Sequence, residues 1–203
     1  MKRKILNHFK KVDPILYAAT HNRDWFEEIT LVPEKEYFRN VCRTIVGQQL
    51  SGKAAHSIWK RFESLFPKKR VSPKKILAFS DEKLRSAGMA YAKVYALKDL
   101  AEKVTNNTLR LKKLSTLDDQ GVYDELIQVR GIGPWTIEMF MMFSLGREDL
   151  FSYGDLGLIK GIQKIHNLKK KPTERQLERI TKKWSPYRTY AALILWHHVD
   201  QKK

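Results

Sequence analysis

Leu126-Ile127-Gln128-Val129-Arg130-Gly131-Ile132-Gly133-Pro134-Trp135 is the segment on which the fold turns. An apolar run ends in two glycines one residue apart. A proline follows, presetting the φ of a first helical residue, so one helix stops and another starts within a few positions. The glycines permit positive φ and remove side chains that would hold a ligand away. The second helix then aims free N–H groups and a positive end outward, which suits a phosphate. A plain helix–helix turn makes the same demands on sequence, so these ten residues alone leave phosphate binding and simple connection equally open.

On both sides of this hairpin, apolar residues recur at three- and four-residue steps, the period of helices with one buried face. Phe38, Val41, Cys42, Ile45 and Val46 form one stripe, which Gly47-Gln48-Gln49 interrupts. Ser51 is placed to cap a second helix that turns Ala54, Ala55, Ile58, Trp59, Phe62 and Leu65 inward. Ser72-Pro73 reads as a cap with a proline at the first helical position, and Ser80-Asp81-Glu82 as another start. Tyr95, Leu97, Leu100, Ala101 and Val104 read as the inner stripe of a longer helix. Beyond the hairpin, Trp135, Met139, Phe140 and Phe143 give an apolar helix stopped by Gly146, and Asp155 stands as a cap before Leu156 and Leu158. Thr173 to Gln176 fits a capping box, and a last helix after Pro186 carries Ala191, Ala192, Ile194, Leu195 and Trp196. The strand candidate is Glu28-Ile29-Thr30-Leu31-Val32. The chain reads as one mostly α domain over residues 1–203.

Composition narrows the partners. Among 203 residues, 39 Lys and Arg face 22 Asp and Glu, a net charge of +17. That balance belongs to proteins that meet polyanions, and it tilts the hairpin toward DNA, because phosphate contacts supply sequence-independent affinity. A hydrophobic content of 42% is enough for a core at this length and excludes global disorder. No apolar run approaches a bilayer span, and none follows the basic N-terminus as a secretory signal would, so an intracellular protein with no membrane partner is expected. The single cysteine, Cys42, excludes an internal disulfide and a cysteine-held iron–sulfur cluster. The six histidines show no metal-binding spacing, and no cofactor is required.

Four segments in register resemble the helix-hairpin-helix/Gly-Pro-Asp superfamily of DNA glycosylases, above all its 3-methyladenine DNA glycosylase II branch. They are Ile45 to Ala55; Gly88 with Lys93 and Leu97 to Leu100; Gly131 to Thr136 followed by Asp155; and Trp184 to Ala191 with Trp196. The resemblance spans about residues 38 to 196. It implies a two-lobed helical fold with the active-site cleft between the lobes. The middle lobe would run roughly over 38–150, with the N-terminal segment and 151–203 forming the other. The chain is too short for the extra N-terminal β-domain of the inducible bacterial members.

The same resemblance assigns roles. Asp155 matches the family's catalytic aspartate, in Tyr153-Gly154-Asp155-Leu156-Gly157. A carboxylate there would stabilise the positive charge that grows on the sugar as a base departs, which is electrostatic catalysis without a metal. Read without the resemblance, Asp155 is a helix cap, and the two roles are compatible. Trp135, Trp196 and Met139 match positions of the base pocket, where electron-rich rings attract a cationic alkylated purine. The inducible bacterial members have tyrosine where this chain has Met139. Bifunctional relatives carry a lysine nucleophile where this chain has Trp135, so no strand cleavage through a Schiff base is expected. Arg130, Gly131, Ile132, Gly133 and Thr136 match the DNA-holding hairpin. Carbonyls of Ile127, Val129 and Ile132 match those that hold a monovalent cation in the family. Gln48, Gln49, Leu50 and Ser51 match the loop that fills the gap left by a flipped base, with Gln49 slightly favoured as the wedge and Leu50 beside it. Both glutamines could equally serve only the loop's own backbone. Arg188 either pairs near Asp155 or braces a helix, and Asp149 reads as a surface loop residue.

The implied activity is a monofunctional glycosylase, acting as a monomer, that removes alkylated purines such as 3-methyladenine and 7-methylguanine from duplex DNA and leaves an abasic site. A sibling enzyme for deaminated or oxidised bases and a noncatalytic helix-hairpin-helix binding module are the competing readings. Retention of Asp155 with both tryptophans disfavours the second, since binding alone needs neither.

Overall fold

A computed structural model describes residues 2–20, 25–26, 29, 31, 33 and 36–200, the side chain of Asp200 excepted. The strand expected at 28–32 falls mostly on residues outside that set. Among the described residues the regular structure is helical, with no strand, and no helix is long and apolar enough to cross a membrane. The chain divides into a middle unit, residues 33–145, and a terminal unit, residues 1–32 with 146–203.

In the middle unit, helix starts follow local chemistry. Ser51 accepts a hydrogen bond from Ala54 N at 3.4 Å and opens Gly52–Ser64. Ser80 does the same for Asp81–Arg85 through Lys83 N at 3.1 Å. Pro73 opens Pro73–Ala78, but Ser72 makes no side-chain cap bond, so that start rests on the proline's fixed φ. Tyr91–Thr105 buries Val94, Ala96, Leu97, Leu100 and Ala101. Tyr95, expected inward, faces out beside Tyr91, because Val94 lies three residues before Leu97 and completes the stripe instead. Asp118 caps Asp119–Leu126 through Gly121 N at 2.8 Å. That helix ends before Ile127 and Val129, leaving both to the turn into Pro134–Phe143.

The terminal unit packs Lys2–Val12, Pro14–Ala18, Leu156–Ile165, Glu174–Thr181 and Arg188–Asp200 around Ile5, Phe9, Ile162, Trp184, Tyr190 and Ile194. The capping box at Thr173 is formed. Residues after Gly146 are bound into this unit by Thr189, whose hydroxyl donates to Arg147 O at 2.7 Å and accepts from Leu150 N at 3.1 Å.

Asp13 is the polar centre of this core. It caps Pro14–Ala18 through Leu16 N at 3.0 Å, accepts from Trp184 Nε1 at 2.9 Å, and lies 3.4 Å from His166 Nε2. Burial pushes its carboxyl pKa up, but the nearby His166 and the hydrogen bonds from Leu16 N and Trp184 Nε1 outweigh that and hold it below the usual value. Asp13→Ala orphans two buried N–H groups, at a cost of about 3 kcal/mol near neutral pH. A depressed folded pKa means the contribution is complete above pH ~4 and is lost as pH falls through the lower folded value. Urea unfolding of wild type and variant at pH 7 and pH 3 checks this. A gap that does not narrow in acid contradicts it.

Candidate active site and nucleic-acid interface

Asp155 is the N-cap of Leu156–Ile165, as its position in the sequence suggested. Its Oδ1 accepts two hydrogen bonds, from Leu158 N at 2.8 Å and from Trp196 Nε1 at 3.1 Å. The second bond brings in a side chain from the last helix and fixes the indole edge against the carboxylate. Gly157 makes that approach possible. A Cβ there would stand 3.0 Å from Asp155 Oδ1 and 3.2 to 3.3 Å from Trp196 Cδ1 and Nε1. The glycines of Tyr153-Gly154-Asp155-Leu156-Gly157 are therefore not equivalent, since Gly154 has open space where its Cβ would be.

Arg188 braces the terminal unit. Its Nε and Nη2 donate to Asp149 at 2.8 and 3.1 Å, its backbone N donates at 3.2 Å, and Ser185 Oγ adds 2.7 Å. Asp149 is thus a structural partner, where sequence suggested only a surface loop. Partial burial pushes its carboxyl pKa up, and the Arg188 and Ser185 bonds bring it below the ordinary value.

In the middle unit, one helix face organises both of the predicted DNA-contacting segments. Lys93, Ala96 and Asp99 follow one another at three-residue steps along Tyr91–Thr105. Lys93 Nζ donates to Val46 O at 2.7 Å and Gln48 O at 2.8 Å, closing the end of Tyr37–Gly47. Partial burial lowers the Lys93 pKa. Asp99 Oδ2 accepts from Arg130 N at 2.8 Å, inside the hairpin. Between them, Gly131 turns with φ +74°, and a Cβ on it would sit 3.2 Å from that of Ala96. Gln48 Nε2 then crosses from loop to hairpin, donating to Gly131 O at 2.9 Å and Thr136 Oγ1 at 2.8 Å. Loop and hairpin are fixed to each other and to a common support.

This arrangement sorts the residues singled out from sequence. Gln48 holds the loop, while Gln49, at φ +56°, and Leu50 form its exposed tip before Ser51 caps the next helix. Thr136, expected to touch DNA, is buried with its hydroxyl accepting from Gln48, and Ile132 is buried as well. Gly133 is extended rather than left-handed; it supplies openness, with nothing within 4 Å of where its Cβ would be. The Arg130 guanidinium lies 5.2 Å from the Tyr95 ring centre, and Tyr95 stacks with Tyr91. Trp135, half-buried, and Met139, buried, stand four residues apart on one face of Pro134–Phe143. At the turn, Val129 O already accepts from Ile132 N at 3.0 Å. Neutral carbonyls of this kind suit a weakly held monovalent ion. No group of three or more His, Cys, Asp or Glu among the described residues could hold a metal.

The model of the HhH-GPD superfamily base excision DNA repair protein matches residues 42–186, which include the glutamine loop, the hairpin and Asp155. The chain belongs to this superfamily. Among HhH-GPD relatives, DNA-3-methyladenine glycosylase 1 of Schizosaccharomyces pombe is 33% identical over 169 residues, 80% of this chain and 72% of the relative. The solved S. pombe 3-methyladenine DNA glycosylase in complex with abasic DNA superposes with a TM-score of 0.86 at 29% identity, covering 95% of each chain. A Bacillus halodurans DNA-3-methyladenine glycosidase structure gives 0.76 at 32% identity, over 98% of this chain and 88% of that one.

Proposed function

We propose that this HhH-GPD protein is a monofunctional DNA glycosylase of base excision repair that hydrolyses the N-glycosidic bond of alkylated purines in duplex DNA. The observation that carries the reading is Asp155, a carboxylate held at a helix end by Leu158 N and by the indole of Trp196. The glycosylase names of relatives along most of the chain support it, and the abasic DNA in the S. pombe complex is what such a reaction leaves.

The chemistry follows from charge. An N3- or N7-alkylated purine already carries positive charge, so the bond from C1′ to the ring nitrogen breaks with the electron pair going to the base. The base then leaves neutral, and the charge passes to the sugar. Asp155 stabilises that oxocarbenium-like sugar electrostatically, water adds its oxygen to C1′, and the water proton is released toward the carboxylate or solvent. Trp135 with Met139, and separately Trp196 beside Asp155, are each aromatic or polarisable surface of the kind that a cationic ring favours. Gly131 and Gly133 offer backbone to a phosphate, and Gln49 with Leu50 fill the space of the extruded base. A monovalent cation on the carbonyls of Ile127, Val129 and Ile132 would add positive charge facing a phosphate; the bond cleavage itself needs no cofactor. The protein is taken to work inside the cell as a monomer.

Incubation with methylated duplex DNA tests the reading. Chromatography should identify free 3-methyladenine and 7-methylguanine, and borohydride added to the same reaction should trap no protein–DNA adduct, since Trp135 has no amine. Absence of released base refutes the activity. A robust adduct refutes the monofunctional mode.

A further inference from the structure

A cavity of about 1010 Å³ opens in the middle unit at the N-terminal end of Tyr37–Gly47. Residues of the Pro67–Lys69 turn and of the segment from Asn107 to Lys113 also border it. The helix is 11 residues long, which separates this cavity from the glutamine loop at the other end by about 16 Å along the axis. None of the residues assigned above to catalysis, hairpin or loop lines it.

Its rim is mainly cationic, with Glu36 a carboxylate in the lining that lies 3.8 Å from Arg39 Nε. Lys68, Lys69, Arg70, Arg110, Lys112 and Lys113 are all exposed there. None forms an ion pair with a carboxylate among the described residues. Arg39 also borders the cavity, but Glu63 engages it at 2.6 Å and it lies over the Trp59 ring. Beneath the rim the lining is apolar: Phe38, Val71, Val104 and Leu109, the last of them buried. The backbone is also unusual. Lys68 and Lys69 have φ of +53° and +54°, a left-handed conformation that residues other than glycine and asparagine adopt against steric resistance. Such strain concentrates where a structure is shaped for binding.

These features select among anions. Duplex DNA is convex, carries its charge outermost and has nothing to place on an apolar floor. A nucleotide needs an open aromatic face or a glycine-rich phosphate loop. Tyr37 instead sits edge-on to Phe140, with ring centres 6.0 Å apart, Phe38 is partly buried in the floor, and no glycine lines the cavity. A peptide with one or two apolar side chains flanked by Asp and Glu matches both layers, apolar to apolar and carboxylate to cation. We infer that this cavity is a docking site for an acidic, apolar-anchored segment of a partner protein. The inference does not depend on the excision chemistry.

Fluorescence anisotropy of the full chain tests it, with a labelled peptide of five aspartates followed by Leu-Phe as probe. Binding should be saturable and should weaken at least about tenfold when Leu-Phe is replaced by Ser-Ser. The double variant Lys69→Glu/Arg110→Glu should lose binding by a similar factor. Lys169→Glu/Lys170→Glu, an equal charge change on an exposed part of the terminal unit, should retain it. Both variants should keep the wild-type melting temperature, which reports that they fold. Absence of saturable binding overturns the proposal, as does equal binding of the serine peptide or equal weakening by both charge reversals. A single-stranded oligonucleotide whose binding is lost only in Lys69→Glu/Arg110→Glu reassigns the cavity to nucleic acid and overturns the peptide proposal.

Discussion

Asp155→Asn cuts release of methylated base, with a fall in kcat of about 10³-fold, while affinity for abasic duplex stays within about threefold. Asparagine is as good an N-cap as aspartate, and its amide oxygen can still accept from Leu158 N and Trp196 Nε1. The substitution therefore removes charge and little else, and an intact melting curve should accompany the loss. Two companions separate charge from position. Trp196→Phe keeps a ring but deletes the N–H that orients Oδ1. Gly157→Ala leaves both partners in place but brings a methyl to within 3.0 Å of that oxygen. Each should lower kcat by about tenfold, less than the loss of charge does. Chromatographic quantification of released base, with anisotropy on abasic duplex, reads both quantities. Excision by Asp155→Asn within tenfold of wild type removes Asp155 from the catalytic role.

The parts of this site that were legible in the sequence are those whose conformation is set within a few residues. Gly131 and Pro134 specify a turn and a helix start by backbone sterics alone, and Ser51 and Asp155 specify caps by the reach of a short side chain. The parts that were not legible are bonds between distant segments. Nothing in the vicinity of Trp196 indicates that its indole donates to Asp155, because that contact depends on how two helices of the terminal unit pack. Asp149 reads as a surface residue because its partner Arg188 lies 39 residues on, beyond two α-helices, and Tyr95 and Val94 compete for one stripe so that only packing decides between them. The basic cavity is the extreme case. Its free lysines and arginines come from two separated stretches, 68–70 and 110–113, each of which alone reads as a solvated charge run.

Lys93→Met should cost up to about 10²-fold in excision of a lesion paired in duplex DNA, with a much smaller loss when the lesion sits in an unpaired or single-stranded context. The Lys93 ammonium satisfies the carbonyls of Val46 and Gln48. Methionine preserves the stem but leaves both carbonyls without that donor, so the left-handed Gln49 turn loses the bond that fixes its entry. Gln48 should then hold Gly131 and Thr136 less firmly, and the exposed Gln49-Leu50 tip should be displaced relative to the hairpin. A misplaced tip matters most when a stacked, paired base must be driven out and least when extrusion is cheap. That makes the ratio of the two activities the informative quantity. A merely destabilised protein would lose both in proportion. Fluorescence of 2-aminopurine beside the lesion should report reduced extrusion in the variant, and Lys93→Arg, which restores a donor, should recover part of it. Equal losses on paired and unpaired substrates would assign Lys93 to general stability instead of to positioning the loop.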